Sequence, residues 1–164
     1  MKPRSRAEGR EPRAGSSAVP GTDPRPATFG PRRPLDVAAG LVFRDGKLLI
    51  TQRHARDHLG GLWEFPGGKR EPGETFEQCL IRELREELGI EVTVADLLEC
   101  LTHEYPTRSV RLKFFRCHLR AGEPRALDCQ QLKWIGVGGL DEHSFPPADA
   151  RLLEKLRHSP QLWV

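Results

Sequence analysis

The chain has 164 residues, 37% hydrophobic and 30% charged, with a formal net charge of +3. That suits one soluble domain with a core of its own, and no apolar run approaches the roughly 18 residues a membrane span needs. Residues 1–34 hold eight Lys/Arg against three acids, net +5, so residues 35–164 sum to −2. The near-neutral globular part argues against a stable nucleic-acid partner. Cys79, Cys100, Cys117 and Cys129 form no CxxC pair and read as reduced thiols of a cytoplasmic protein, not as a zinc site or a disulfide frame.

In chain order, residues 1–34 carry seven prolines and no apolar periodicity. Such a segment cannot bury enough surface to offset its ordering entropy, and a disordered basic tail is expected. Residues 35–164 form the domain. Leu35 to Phe43 reads as a strand, RDGK at 44–47 as a tight turn, and Lys47 to Arg53 as the returning strand. Residues 54–62 make a polar loop that includes His58, and WEFPGG at 63–68 is a short extended piece ending in a turn. Thr75 to Leu88 is the clearest helix, because Phe76, Leu80, Leu84 and Leu88 recur every four residues, and Gly89 stands at its C-cap. Residues 90–103, 109–119 and 130–136 read as strands. Phe145 to His158 reads as a second helix opened by Pro146 and Pro147. The order predicts an α+β fold, a mixed sheet with helices on its faces.

The first helix raises a chemical question. At about 100° per residue, Glu83, Glu86 and Glu87 fall within roughly a 100° sector beside the leucine stripe. Like charges four residues apart repel, and a divalent cation reverses that sign. Mg²⁺ takes hard oxygen ligands and keeps several waters, so a few carboxylates plus substrate phosphates suit it. Glu74, just before the helix, reaches the same region, and Arg82 can pair with Glu86 one turn on. The competing reading is a solvated helix face with Arg82 and Arg85 as counter-ions.

Gly68, Glu74, Arg82, Glu83, Leu84, Glu86, Glu87, Gly89 and Ile90 stand in the spacing Gx5Ex7RELxEExGI. This resembles the complete Nudix box of hydrolases acting on nucleoside-diphosphate-linked compounds. ITQRHARDHLGGLWEFPGGK and FPPAD are similar to the MutT-type branch, the 8-oxo-dGTP diphosphatases and their cytidine-nucleotide-hydrolysing relatives. The resemblance covers residues 35 to about 157. It implies an α/β/α sandwich with a loop–helix–loop motif, and attack of water on a nucleoside triphosphate to give a monophosphate and pyrophosphate. It implies Mg²⁺ or Mn²⁺ held by Gly68, Glu83, Glu86 and Glu87, with Arg82 orienting a glutamate and Glu74 nearby. Gly67 and Gly68 let the backbone pass close to phosphates or metal. Arg53, Phe65 and Arg108 are expected to contact the nucleotide.

Two departures matter. The 8-oxo-dGTP type has asparagine after FPPA, where this chain has Asp149. An ionised aspartate only accepts hydrogen bonds, which suits the amino group of cytosine or N7–H of 8-oxoguanine. The branch often has glutamate before the tryptophan of a late strand, where this chain has Lys133. The general base then comes from the box, from another residue such as Glu104, or from the water shell of the metal. A non-catalytic nucleotide- or lesion-binding module and a hydrolase of another nucleoside diphosphate derivative are the alternative functions, and monomer and homodimer both remain open.

Overall fold

A computed structural model of the chain describes residues 33–164, so the disorder expected of the tail concerns residues outside the described part. The elements are β1 (Leu35–Arg44), β2 (Lys47–Gln52), β3 (Trp63–Glu64), β4 (Gly67–Lys69), α1 (Phe76–Leu88), β5 (Glu91–Tyr105), β6 (Arg108–Ala121), β7 (Gln131–Ile135), α2 (Gly139–Glu142) and α3 (Ala150–Arg157).

β1 is the hub. It runs parallel to β6 from the pair Leu35–Val110 to the pair Val42–Cys117, and antiparallel to β4 on its other side. β5 adds to β6 as a long antiparallel partner. β2 leaves β1 after two residue pairs and instead binds β7 and β3. The β1–β2 hairpin is closed by Asp45 and Gly46, both at positive φ (51° and 70°), the mirror-image two-residue turn whose twist matches the strands.

Alternation along β1 divides the core. Ala38 and Val42 join the layer beneath α1 with Leu80, Leu84, Leu88 and Phe115. Ala39 and Leu41 face Phe65, Phe114, Leu152 and Leu156 beneath α3. Helices thus cover both faces of a mixed sheet. α1 owes its bounds to local chemistry: Thr75 and Gln78 form a reciprocal capping box, and Gly89 ends the helix in the left-handed conformation.

Three expectations are corrected. The second helix begins at Ala150, not at Phe145. Pro146 is extended (ψ 149°) and Pro147 to Asp149 make a 3₁₀ turn, because a residue before proline is held out of the helical region. WEFPGG is not one extended piece: β3 pairs with β2 and β4 with β1, with Pro66 at the crossing. α2 is four residues long, too short to show periodicity, and was not expected. Leu84 is fully buried between α1 and the sheet, so Leu84→Ala should destabilise the domain by about 2–5 kcal/mol, measured by urea titration.

Candidate active site

The geometry starts from close backbone contact. β4 is wedged between β1 and α1. A side chain at Gly67 would collide with the carbonyl of Ala38, and one at Gly68 with the carboxylate of Glu83. With hydrogens there instead, Gly67 N–H donates to Glu87 Oε2 at 3.3 Å, and Glu83 lies directly over Gly68. The Gly68 carbonyl accepts from the Cys79 thiol at 3.6 Å.

Arg82 organises the outer carboxylates. Its Nε and Nη2 donate to the two oxygens of Glu74 at 2.6 and 3.0 Å, Nη1 donates to Glu83 at 2.8 Å and Glu86 at 3.4 Å, and Nη2 also reaches the Lys69 carbonyl at 3.2 Å. These bonds hold the Glu74 carboxyl down at about 2. Glu83 keeps a raised pKa even so, because burial outweighs the Arg82 contact.

A cleft of about 520 Å³ opens beside this helix. Glu83, Glu87, Gly67 and Gly68 form one wall, and Phe65, Ala39, Leu112 and Phe114 form the floor. Arg53, Glu64 and Asp149 face the same space, and Tyr105, Arg108 and His58 stand at its rim. Arg53 Nη1 donates to Glu64 Oε2 at 2.6 Å, and its Nε to the His58 carbonyl at 2.8 Å, so one guanidinium holds both the carboxylate and the loop. His58 packs edge-on against Tyr105, with ring centroids 5.6 Å apart.

Negative charge exceeds positive here. Glu87 is pushed up to about 8, chiefly by burial and then by Glu64 and Glu83. Glu64 is raised by burial, partly offset by Arg53. Asp149, 4% exposed, is raised to about 7 by burial and then by Glu64. Its carboxylate takes part in no side-chain hydrogen bond among the described residues.

The expected residues separate into groups. Glu83, Glu87, Gly67, Gly68, Arg53, Phe65, Arg108 and Asp149 line the cleft. Phe65 is also a core side chain, stacked on Phe145 at 5.4 Å. Arg82 and Glu74 stand behind the wall, and Glu86 is on the outer side, its side chain 61% exposed. Glu104 pairs with Ser109 on the neighbouring strand and does not line the cleft. Lys133 turns elsewhere: its Nζ lies 4.8 Å over the Trp63 ring and 3.4 Å from His143 Nε2. Glu64 was missed. The available signal was a single carboxylate inside the apolar run WEFP, flanked by Trp63 and Phe65, both buried.

Among the described residues, no three His, Cys, Asp or Glu side chains converge as a preformed metal cage. The donor set nevertheless fits a hard cation: two cleft-facing carboxylates, Glu83 and Glu87, whose pKa values burial raises first and neighbouring carboxylates raise further, and a backbone carbonyl. Mg²⁺ needs no more than one or two carboxylates where water and phosphates fill the remaining positions.

Residues 38–155 match the NUDIX domain. The chain is 39% identical over 124 residues to an 8-oxo-dGTP diphosphatase of Escherichia coli, covering 75% of this chain and 96% of that protein. It is 41% identical over 120 residues to a CTP pyrophosphohydrolase of the same organism, covering 73% and 89%. The solution structure of the E. coli ORF135 protein superposes with a TM-score of 0.65 at 40% identity, covering 76% of this chain and 91% of that one. Members of the family generally need a divalent cation. The chain belongs to the NUDIX hydrolase family, in its MutT-type branch.

Proposed function

We propose that the chain is a Mg²⁺-dependent pyrophosphohydrolase of nucleoside triphosphates that clears modified nucleotides from the precursor pool, with 8-oxo-dGTP, CTP and dCTP as its substrate range. The observation that carries this reading is the joining of two chemistries in one cleft. A wall of carboxylates suited to cation and phosphates faces a buried aspartate whose carboxylate takes part in no side-chain hydrogen bond among the described residues.

The roles follow from position. Glu83, Glu87 and the Gly68 carbonyl would hold the cation, which neutralises the triphosphate so that an oxygen nucleophile can approach. Arg82 fixes Glu83 from behind and ties it to Glu74. Water forms a bond to a phosphorus, the bridging P–O bond breaks, and pyrophosphate leaves with the electron pair. The proton of the water goes to a carboxylate outside the helix. Glu64 fits that role because it faces the cleft, Arg53 holds it in one orientation, and its raised pKa places it nearer the operating pH.

Asp149 reads the base. Ionised, it accepts from the amino group of cytosine; protonated, it donates to the O6 of an oxidised guanine. A pKa near 7 brings both forms into use, and burial makes an unmatched edge costly.

Four outcomes test the reading. Glu83→Gln should abolish Mg²⁺-dependent pyrophosphate release while leaving the circular dichroism spectrum unchanged, and Glu64→Gln should lower kcat by about 10²–10⁴ with little change in KM. The folded pKa of Glu87 lies above its ordinary 4.5, so the metal-free protein should lose stability as pH rises from 4.5 through about 8. Glu87→Gln should remove that loss in thermal melts across the window. Asp149→Asn should cost CTP about 10–100-fold in kcat/KM relative to 8-oxo-dGTP, read from a substrate panel; an unchanged ratio would refute the base-reading role.

A further inference from the structure

A chain of bonds runs behind the cleft from β1 to α1. Asp36 is the second residue of β1, and Arg70 follows directly on β4. The Arg70 amide donates to the Asp36 carbonyl at 2.9 Å, which extends the β1–β4 ladder beyond the pair Val37–Lys69. The side chains meet as well: Arg70 Nε and Nη2 donate to Asp36 Oδ2 at 3.0 and 2.7 Å. Nη1 of the same guanidinium donates to the Glu74 carbonyl at 2.7 Å. Glu74 in turn holds Arg82 by two bonds, which directs Arg82 Nη1 at Glu83. Neither Asp36 nor Arg70 lines the cleft itself.

Each link depends on the residue that occupies it. A guanidinium is planar and carries its donors in a fixed fork, so one Arg70 side chain holds a carboxylate and a carbonyl at once; the ammonium of lysine has no such fork. Arg70 also lies over the ring of Phe76, the first residue of α1, at 5.2 Å from its centroid. Arg111 and Lys113 lie over the same ring at 5.7 and 4.3 Å, and cations so close repel one another. Asp36 offsets that repulsion, because it also accepts from Arg111 Nε and Nη2 at 2.7 and 2.9 Å. Its side chain is 10% exposed. Its pKa is lowered nonetheless, chiefly by the Arg111 hydrogen bond acting against burial and then by Arg70, so it stays an anion. Without that anion, Arg70 and Arg111 would push apart, and the fork that holds Glu74 would lose its seat.

Resting on the reading of Glu83 as a cation ligand, we propose that Asp36 and Arg70 are positioning residues for the reaction: through the Glu74 carbonyl and Arg82 they fix where the Glu83 carboxylate stands. The influence travels through bonds and not through the field. A field alone would act oppositely at the two residues, since Asp36 attracts a cation and Arg70 repels it. Loss of either one loosens the same loop, so both losses weaken cation binding.

The test measures Mn²⁺ binding to the intact, nucleotide-free chain from the electron paramagnetic resonance signal of the free ion, with folding checked by circular dichroism. Asp36→Asn and Arg70→Gln should each weaken binding about tenfold, the low end of what loss of a group outside the ligand shell costs. Arg70→Lys, which keeps both the charge and the fold, should weaken it too. Asp36→Asn should add nothing to Glu74→Gln, because both act through one path. Arg111→Ala removes a cation from Asp36 but no bond to the loop, and it should not weaken binding. The Mg²⁺ concentration that half-activates turnover should rise in parallel with the Mn²⁺ dissociation constant. Tighter binding in Arg70→Gln would reveal a field effect and overturn the proposal. So would unchanged affinity in Asp36→Asn and Arg70→Lys, or a weakening by Arg111→Ala equal to that of Arg70→Gln. Glu83→Gln separates the two readings. If it weakens Mn²⁺ binding while the Asp36 and Arg70 variants do not, the positioning role fails and the cation site stands. If it leaves Mn²⁺ binding unchanged, the cation reading fails and the positioning role with it.

Discussion

The approach of two backbones to one helix governs the site. β4 fits between β1 and α1 only because Gly67 and Gly68 have no side chains. That contact brings the Gly68 backbone against Glu83 and the Gly67 amide against Glu87. Two carboxylates, separated by one helical turn, are thereby pressed into a partly apolar cleft instead of pointing to water. The sheet register, the capping box and the leucine stripe all serve to fix the angle and depth of that contact.

Once buried, the charges set the chemistry. A carboxylate removed from water resists ionisation, and its carboxylate neighbours add to that resistance. Arg82 relieves Glu74 and Glu83, with both of which it pairs. Arg53 relieves Glu64, with which it pairs, and its charge also acts on Asp149. Among the described residues Glu87 pairs with no arginine, and it is pushed up to about 8. The unmet demand for positive charge is therefore concentrated where the phosphates would arrive, and the protein leaves it for a cation to meet.

How much could be read in advance depends on the range of each interaction. Helix α1 was legible almost residue by residue, because its stripe, its caps and its glutamates are all local. The strands were legible because alternation marks them. The start of α3 was not: two prolines in a row favour a helix N-terminus by propensity, but extended geometry at Pro146 delays it to Ala150. The split of WEFPGG between two partner strands depends on contacts far along the chain, which no local pattern records. Glu64 was hidden for the same reason. Its role arises from Arg53, eleven positions earlier in the chain, and from Glu87, which β4 brings opposite it.

The coupling between Glu64 and Asp149 joins recognition to chemistry. Glu64 raises the pKa of Asp149 and also that of Glu87, so one carboxylate influences both the proposed base-reading end and the proposed phosphate end of the cleft. Positive charge arriving at the phosphate end would lower the cost of ionising Glu87. It would also ease, through a Coulomb interaction that a low-dielectric space screens only weakly, the burden on Glu64 and then on Asp149. Ionised Asp149 favours an amino-bearing base edge. The loaded cleft should thus lean further toward cytidine nucleotides than the empty one, an effect of field and not of any moving part.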